Sequence, residues 1–241
     1  MFKDKICVLL PFYNEEKDIV NVTKSILEEG YFVILINDGS TDNSLSNVLV
    51  CFDKEFKFSK KLDIISYKQN EGKGYALKRG ARKAIKHGFE YVLTMDSDGQ
   101  TRTEDIKQFI TGLKKYPEAK IIIGNRLINP TQMPPFKRFM NKFSTSIISL
   151  LAKQAVGDSQ TGFRLIHKDV FMLDLPSNRY EFESEMLIVA GRAGMKIRNV
   201  PVKCIYQQGR GFGKWNLKRD VAKFIKLFIK YLFLHNKSNC K

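Results

Sequence analysis

The sequence predicts an α/β fold in which a mostly parallel sheet is covered by helices on both faces. Short apolar runs alternate with longer helix-like stretches through the first half of the chain. The links between them are short, and nearly every apolar run is followed at once by a cluster of polar residues. This alternation is typical of βα units, whose strands are buried and lie parallel to one another.

The elements follow in a regular order. Apolar runs predict five strands, at residues 6–10, 31–36, 62–67, 91–95 and 120–124. Helix signals predict a helix after Asn14 that reaches about residue 29, one after the turn at 37–44, one from Gly72 to about residue 87, and one over 103–116. The length of 241 residues fits one catalytic domain, which we place at 1–214, followed by a basic amphipathic helix and tail at 215–241.

Composition restricts the class of partner and the cell compartment. The net charge of +16 predicts an anionic partner: nucleic acid, an acidic membrane surface or a phosphorylated substrate. The four cysteines lie far apart and form no Cys-x-x-Cys pair, which argues against a zinc site and a disulfide framework. The amino terminus lacks the apolar region of a signal peptide, and no apolar run is long enough to span a bilayer. We therefore expect a cytoplasmic protein.

The fourth apolar run stops abruptly at two carboxylates, Asp96 and Asp98, which flank Ser97. In an extended chain, residues two apart point to the same side, so these carboxylates can converge on one point. Mg²⁺ or Mn²⁺ suits such a pair, because these ions are commonly held by one or two carboxylates together with water and substrate phosphates. The alternative is a polar turn after a strand, since Asp, Ser and Gly are all turn formers.

This pair belongs to one of five polar clusters that follow predicted strands. They lie at residues 11–15, 38–42, 72–74 and 96–100, and at Arg126. Ligands of parallel α/β sheets bind at the carboxyl ends of the strands. Each cluster alone is explained by a turn, a helix start or a surface charge, but five clusters at one edge predict a binding site.

Several of these clusters resemble the motifs of a known family. In the first half they read PFYNE at 11–15, NDGSTD at 37–42, GKG at 72–74 and DSDGQ at 96–100. Later blocks read GDSQTGFR at 157–164, FESE at 182–185 and RGFGK at 210–214. In this order they resemble the family 2 glycosyltransferases, of the dolichyl-phosphate mannose synthase and polyprenyl-phosphate glycosyltransferase type. The resemblance implies the Rossmann-like GT-A fold with amphipathic helices at the carboxyl end.

The resemblance also implies roles for individual residues. Metal and diphosphate would be held by Asp96, Asp98 and Gln100. The nucleotide sugar, with GDP or UDP as its nucleotide, would be bound by Pro11, Tyr13, Glu15, Asp38, Lys73, Asp96 and Ser97. The acceptor phosphate would face Arg126 and Arg138, and the catalytic set would comprise Asp98, Arg126, Arg210 and Lys214. One departure from the family pattern is Gly213, where relatives often have serine before the lysine.

Two basic stretches bear on the acceptor and on membrane binding. Residues 119–157 contain no acidic residue, and their basic and aromatic side chains accompany a strongly apolar helix pattern. Residues 215–234 predict a helix with basic residues on one side and apolar residues on the other, a pattern typical of helices that lie in the membrane interface. Docking of this helix on the protein's own sheet fits the pattern equally well. The resemblance favours peripheral binding at the cytoplasmic face of an anionic membrane.

The function predicted is metal-dependent, inverting transfer of a sugar from a nucleoside diphosphate sugar to a polyprenyl (dolichyl) phosphate. The first alternative is transfer to a saccharide hydroxyl of a cell-surface glycan, which needs a general base such as Asp158, Glu183 or Glu185. A nucleotidyltransferase would carry a glycine-rich phosphate loop after the first strand, where this chain has PFYNE. A nucleic-acid-binding protein would explain the charge, but no recognition module is evident, so we expect no nucleic-acid partner.

Overall fold

A computed structural model describes residues 2–53, 60–128, 133–203 and 229–231. The strands are β1 (Ile6–Phe12), β2 (Phe32–Asp38), β3 (Leu62–Tyr67), β4 (Tyr91–Thr94), β5 (Ala119–Asn125), β6 (Arg164–His167) and β7 (Lys196–Pro201). The helices are α1 (Ile19–Glu28), α2 (Ser44–Asp53), α3 (Lys73–Lys86), α4 (Ile106–Lys115), α5 (Pro135–Ala152) and α6 (Glu181–Arg192). Short 3₁₀ helices cover Phe2–Lys5, Thr103–Asp105 and Lys168–Met172.

The strands form one sheet in the order β3-β2-β1-β4-β6-β5-β7. β6 pairs antiparallel with both β4 and β5, and the other pairings are parallel. Because β6 runs against its neighbours, it begins at the edge where they end. The loop that leads into Arg164 therefore lies at the same edge as the carboxyl ends of β1, β2, β4 and β5.

The core lies on both faces of this sheet, as the predicted α/β class requires. Cys7 and Leu9 of β1 pack on one face with α3 and α6, while Ile6, Val8 and Leu10 pack on the other with α1, α2 and α4. All of β1 is buried. A strand buried on both faces reads as a continuous apolar run, which is why its sequence shows no polar alternation.

Two predicted boundaries near the site differ from the structure. The first strand does not end at Pro11 but continues to Phe12, because β1 pairs with β4 only as far as Leu9 and Pro11 then has β2 as its strand neighbour. A proline is tolerated where a strand has an open side, since its nitrogen has no hydrogen to donate. The first helix begins at Ile19, because the residues after Asn14 are held in a loop by bonds to the next loop along the sheet.

In the described parts of the chain, no helix combines the length and the apolar character needed to cross a membrane. The predicted domain boundary at residues 214 and 215 lies outside the described residues, as does most of the predicted helix at 215–234. Its described part is one turn, residues 229–231, which docks on the core. Tyr231 is buried there, and its main-chain oxygen accepts a hydrogen bond from Arg192 of α6 at 2.7 Å.

Candidate active site

The loops after β1 and β2 are joined by hydrogen bonds. The backbone of Asn14 has a φ of +55° and its N–H donates to the Ser40 hydroxyl at 3.0 Å, while its side-chain oxygen accepts the Thr41 N–H at 2.7 Å. The N–H of Glu15 donates to the hydroxyl of Ser44, the first residue of α2, at 2.7 Å. Because both loops are held to each other, Tyr13 and Glu15 occupy defined, half-buried positions at the sheet edge.

Asp38 ends β2 and fastens the loop that precedes α3. Its two carboxylate oxygens accept the N–H groups of Glu71 at 2.8 Å and Gly72 at 2.9 Å. Burial raises the pKa of Asp38 above its ordinary value, although these two donors act in the opposite direction. Gly72 has a φ of +105°, which favours glycine, and Lys73 begins the helix directly after it. Asp38 therefore positions Lys73.

Asp96 and Asp98 lie in a bend after β4, which ends at Thr94, rather than in the strand itself. The bend is held at its centre, where the Ser97 hydroxyl donates to the carbonyl of Pro11 at 3.1 Å. A carboxylate oxygen of Asp98 accepts the N–H of Gln100 at 3.0 Å. Both aspartates line one small cavity together with Gln100 and Arg126. From the sequence, a polar turn and a metal-binding carboxylate pair were alternative interpretations of these residues. In the structure the same segment is both a turn and a pair of carboxylates at one cavity.

The cavity concentrates negative charge at Asp98. Burial, followed by the charges of Asp96 and Glu15, raises the pKa of the Asp98 carboxyl to about 6. A divalent cation would compensate this charge, and Mg²⁺ and Mn²⁺ need no more than one or two carboxylates from the protein. Among the described residues no group of three His, Cys, Asp or Glu side chains forms a complete metal cage. The donor set therefore fits an ion that also binds substrate phosphates.

Asp96 is paired with a lysine. The Lys73 ammonium lies 2.6 Å from Asp96 Oδ1 and 2.9 Å from Glu183 Oε2 on α6. Burial, the largest single influence, would raise the pKa of Asp96, but the charge and hydrogen bond of Lys73, together with the charges of Arg126 and Arg164, hold this pKa below the ordinary value. Burial acts to lower the pKa of Lys73, and the two carboxylates together raise it above its usual range. Lys73 is therefore a permanent cation at this edge.

Arg126 follows β5 and is fixed by a buried carboxylate. Its Nε donates to Asp158 Oδ2 at 2.7 Å and its Nη2 to Asp158 Oδ1 at 3.1 Å. Asp158 has no exposed surface and also accepts the N–H of Gln160 at 3.0 Å. Fork-shaped pairs of this kind fix the orientation of the guanidinium as well as its charge.

Arg164 is a structural cation that the sequence analysis did not single out. It is 1% exposed, and its guanidinium donates to the carbonyls of Ser159, Thr161 and Glu183 at 2.6 to 2.9 Å. These bonds join the loop before β6 to the first turn of α6. Its signal in the sequence was the GFR that ends the block at 157–164. A buried arginine that binds main-chain oxygens cannot be recognised without the fold.

The structure thus brings most of the predicted site residues to one edge of the sheet. These are Pro11, Tyr13, Glu15, Asp38, Lys73, Asp96, Ser97, Asp98, Gln100 and Arg126. Arg138 lies exposed in the first turn of α5. Arg210 and Lys214 lie outside the described residues.

The sequence profile of the family described as Glycosyl transferase family 2 matches residues 7–173. The chain belongs to glycosyl transferase family 2. This assignment confirms the resemblance drawn from the motifs, since the matched region contains the first-half motifs and the GDSQTGFR block.

Relatives of this family 2 glycosyltransferase act on dolichyl phosphate, as their names state. It is 32% identical over 222 residues to the UDP-N-acetylglucosamine--dolichyl-phosphate N-acetylglucosaminyltransferase of Methanococcus voltae, covering 84% of this chain and 86% of that protein. It is 26% identical over 223 residues to the dolichyl-phosphate beta-glucosyltransferase of Saccharomyces cerevisiae, covering 82% and 66%. The chain is therefore a glycosyltransferase with polyprenyl-phosphate glycosyltransferase relatives.

A solved structure confirms the fold of this family 2 glycosyltransferase. The glucosyl-3-phosphoglycerate synthase of Mycobacterium tuberculosis, crystallised with Mn²⁺, UDP and phosphoglyceric acid, superposes with a TM-score of 0.66 at 18% identity. The match covers 95% of this chain and 77% of that one. The predicted GT-A fold is confirmed.

Proposed function

We propose that this glycosyltransferase transfers a sugar from a nucleoside diphosphate sugar to a polyprenyl phosphate, with a divalent cation bound at Asp96 and Asp98 and with inversion at the anomeric carbon. A phosphate acceptor is already anionic at neutral pH and needs no strong base. A saccharide hydroxyl must lose a proton during transfer and therefore needs one. The two acceptor classes thus make opposite demands on the carboxylates of the site.

The observation that carries the proposal is that all three carboxylates considered as a general base are engaged elsewhere. Asp158 is fully buried and bound to Arg126. Glu183 is bound to Lys73 at 2.9 Å. Glu185 is fully buried and accepts the N–H of Ser177 at 2.8 Å and the Tyr231 hydroxyl at 3.0 Å. This arrangement favours an acceptor that arrives already ionised.

The charges at the site support the same chemistry. When bound, the cation would stabilise the negative charge that develops on the leaving diphosphate. Asp96 and Asp98 would hold that cation, and Gln100 lies beside them on the wall of the same cavity. Arg126, oriented by Asp158, supplies fixed positive charge for the acceptor phosphate. The roles of Arg210 and Lys214 rest on the family resemblance alone.

UDP is the nucleotide to test first. The name of the Methanococcus voltae relative specifies a UDP-sugar donor. The Mycobacterium tuberculosis synthase that shares the fold was crystallised with UDP and Mn²⁺. We therefore propose a UDP-sugar in preference to a GDP-sugar, and Mn²⁺ as the cation for the first assays.

For membrane binding, we propose that the first half of α5 lies against an anionic bilayer. Four large apolar side chains with helical spacing are exposed there, namely Phe136 at 70%, Phe139 at 65%, Met140 at 44% and Phe143 at 56%. Basic residues adjoin them at Lys137, Arg138 and Lys142, and α5 contains no acid. Apolar side chains beside cations match the interface of an anionic membrane. The second half of α5 buries Ile148 and Leu151 in the core.

Near the carboxyl end of residues 215–234, the described contacts give less support to the membrane role predicted for this segment. Lys230, placed among the basic residues of that helix, lies 3.2 Å from the buried Glu185. The cation of Arg192 stacks over the Tyr231 ring at 5.4 Å. The described residues 229–231 therefore pack on α6, whereas the alternative interpretation of the pattern placed the helix on the sheet itself.

The proposed donor and metal are tested by screening UDP- and GDP-sugars for Mn²⁺-dependent transfer, with Asp98→Ala as the site variant. Asp174→Ala, which removes an exposed carboxylate away from the site edge, is the matched control. The proposal predicts loss of metal-dependent transfer in Asp98→Ala and retention in the control. Equal activity of Asp98→Ala and the unmodified protein with Mn²⁺ would contradict the metal assignment.

A further inference from the structure

Lys73 bridges two carboxylates, and one of them belongs to the proposed metal pair. Its ammonium lies 2.6 Å from Asp96 Oδ1 and 2.9 Å from Glu183 Oε2. The Lys73 and Glu183 side chains are 17% and 14% exposed, so solvent does little to screen this contact. A cation that binds Asp96 through Oδ1 must therefore displace an ammonium that is already there.

We propose that Lys73 competes with the metal for Asp96, and that Glu183 retains Lys73 when the metal binds. The inference rests on the proposed metal-dependent function. Glu183 has a second oxygen, Oε1, which is buried and has no hydrogen-bond partner among the described residues. That oxygen can accept the N–H that Lys73 withdraws from Asp96. Glu183 is thus a positioning residue for Lys73, rather than the general base that its place near the site allows.

The surroundings restrict the exchange to the Lys73 side chain. Glu183 stands in the first turn of α6, and its main-chain oxygen accepts Arg164 Nη1 at 2.6 Å. Gly162 closes the other side, because a Cβ there would lie 2.5 Å from Asp96 Oδ2 and 2.7 Å from Lys73 Nζ. With Glu183 and the Gly162 backbone fixed, the lysine has to move along the line between its two carboxylates.

Glu183 stabilises Lys73, because an unpaired ammonium with little access to solvent has a high free energy. If Glu183 were neutral, Asp96 would be the one charged partner of Lys73 among the described residues, and metal binding would leave a poorly solvated cation uncompensated. With Glu183 ionised, Lys73 stays paired throughout. The same exchange leaves the lysine beside the metal pair, where a leaving diphosphate develops charge.

The test measures Mn²⁺ binding to the full-length protein by electron paramagnetic resonance, without any donor. Glu183→Gln should weaken Mn²⁺ binding by about tenfold, because it removes the partner that retains Lys73. Glu181→Gln removes the same charge from the same helical turn and should change the affinity by about twofold at most. Lys73→Met should strengthen Mn²⁺ binding, because the competing ammonium is gone.

The double variant decides between two roles of Glu183. In the Lys73→Met background the Glu183→Gln effect should shrink to about twofold, since there is no lysine left to retain. An equal or larger loss in that background would show that Glu183 attracts the metal directly, and would overturn the proposal. If circular dichroism shows that Lys73→Met is unfolded, Lys73→Gln replaces it, because it also removes the ammonium charge while it keeps a polar side chain at this position.

The same titration separates this inference from the function on which it rests. Mn²⁺ binding by the unmodified protein that Asp98→Ala abolishes supports the metal site itself. If the unmodified protein shows no such binding, both the metal-dependent function and the lysine exchange are wrong. If it binds Mn²⁺ but the Lys73 and Glu183 effects are additive, only the exchange is wrong.

Discussion

Asp158 holds Arg126 by two hydrogen bonds, at 2.7 and 3.1 Å, from a position with no solvent exposure. The pair joins the end of β5 to the loop before β6, which is the antiparallel strand of the sheet. A carboxylate so placed sets the orientation of the arginine and is poorly placed to remove a proton from a substrate. The proposal of an acceptor that is already ionised depends on Asp158 orienting Arg126 and not acting as a general base.

Asp158→Asn should therefore act through Arg126. The amide keeps one acceptor but removes the charge and the second oxygen, so we expect the acceptor KM to rise about tenfold while the donor KM changes by about twofold at most. Steady-state kinetics with each substrate varied in turn measures both values. A collapse of kcat with an unchanged acceptor KM would instead identify Asp158 as a general base, and would favour a hydroxyl acceptor.

Asp98 gives a prediction about pH and stability. Its folded pKa of about 6 lies above the ordinary 3.8, so folding favours the protonated carboxyl and stability is lost as pH rises through 6. Without metal, Asp98→Asn should raise the free energy of unfolding at pH 7 by about 1 kcal/mol, after allowance for solvent at this half-buried site. Near pH 4 the gain should disappear. Urea unfolding at pH 7 and near pH 4 measures this gain in the free energy of unfolding. An equal gain at the two pH values would exclude an effect of the Asp98 charge.

The glycine that faces the Lys73 and Asp96 pair gives a third prediction. Gly162→Ala places a methyl group 2.5 Å from Asp96 Oδ2, so we expect weaker Mn²⁺ binding and a small change in melting temperature, because a half-exposed carboxylate can move aside. Gly191→Ala is the matched contrast, since its methyl would lie 2.3 Å from the Ala152 carbonyl between α5 and α6. Gly191→Ala should therefore lower the free energy of unfolding by about 1–3 kcal/mol. The folded Gly191→Ala protein should bind Mn²⁺ normally, and the reverse pattern would contradict the assignment.

The exposed aromatic residues of α5 give a fourth prediction. Phe136→Glu and Phe139→Glu should reduce binding to vesicles of anionic phospholipid, because each removes an inserting side chain and adds repulsion. Co-sedimentation with vesicles measures this, and added salt should weaken the binding of the unmodified protein. Met172→Glu is the control, since Met172 is also 70% exposed but follows β6 at the opposite edge of the sheet. Equal losses in all three variants would show that α5 is not the membrane surface.

The fold could be predicted from the sequence where local pattern decides it. The strand at 62–67 has the predicted bounds, and the alternation of strands and helices identified the parallel sheet. β6 was missed because its four residues are defined by pairing with β4 and β5, which is a long-range property. The start of α1 was misplaced because hydrogen bonds from Asn14 and Glu15 to the next loop override the local helix signals.

The site could be predicted as a set of residues but not as a set of contacts. Motifs identified the aspartates, Lys73 and Arg126, because each lies beside a strand end or helix start that the sequence reveals. They did not show that Asp38 binds the loop before α3, or that Glu183 shares Lys73 with Asp96. Such pairings join distant parts of the chain, and their chemistry is visible only when the fold brings them together.

The most direct test of the central claim compares acceptors that differ in one group. The purified enzyme, Mn²⁺ and a radiolabelled UDP-sugar that it accepts are incubated with a polyprenyl phosphate, with the matching polyprenol, or with a saccharide acceptor. The account predicts transfer to the polyprenyl phosphate alone, giving an acid-labile lipid-linked sugar phosphate with inverted anomeric configuration. Transfer to the saccharide or to the polyprenol at a comparable rate would contradict it, because the site would then have to supply the general base that Asp158, Glu183 and Glu185 are not placed to provide.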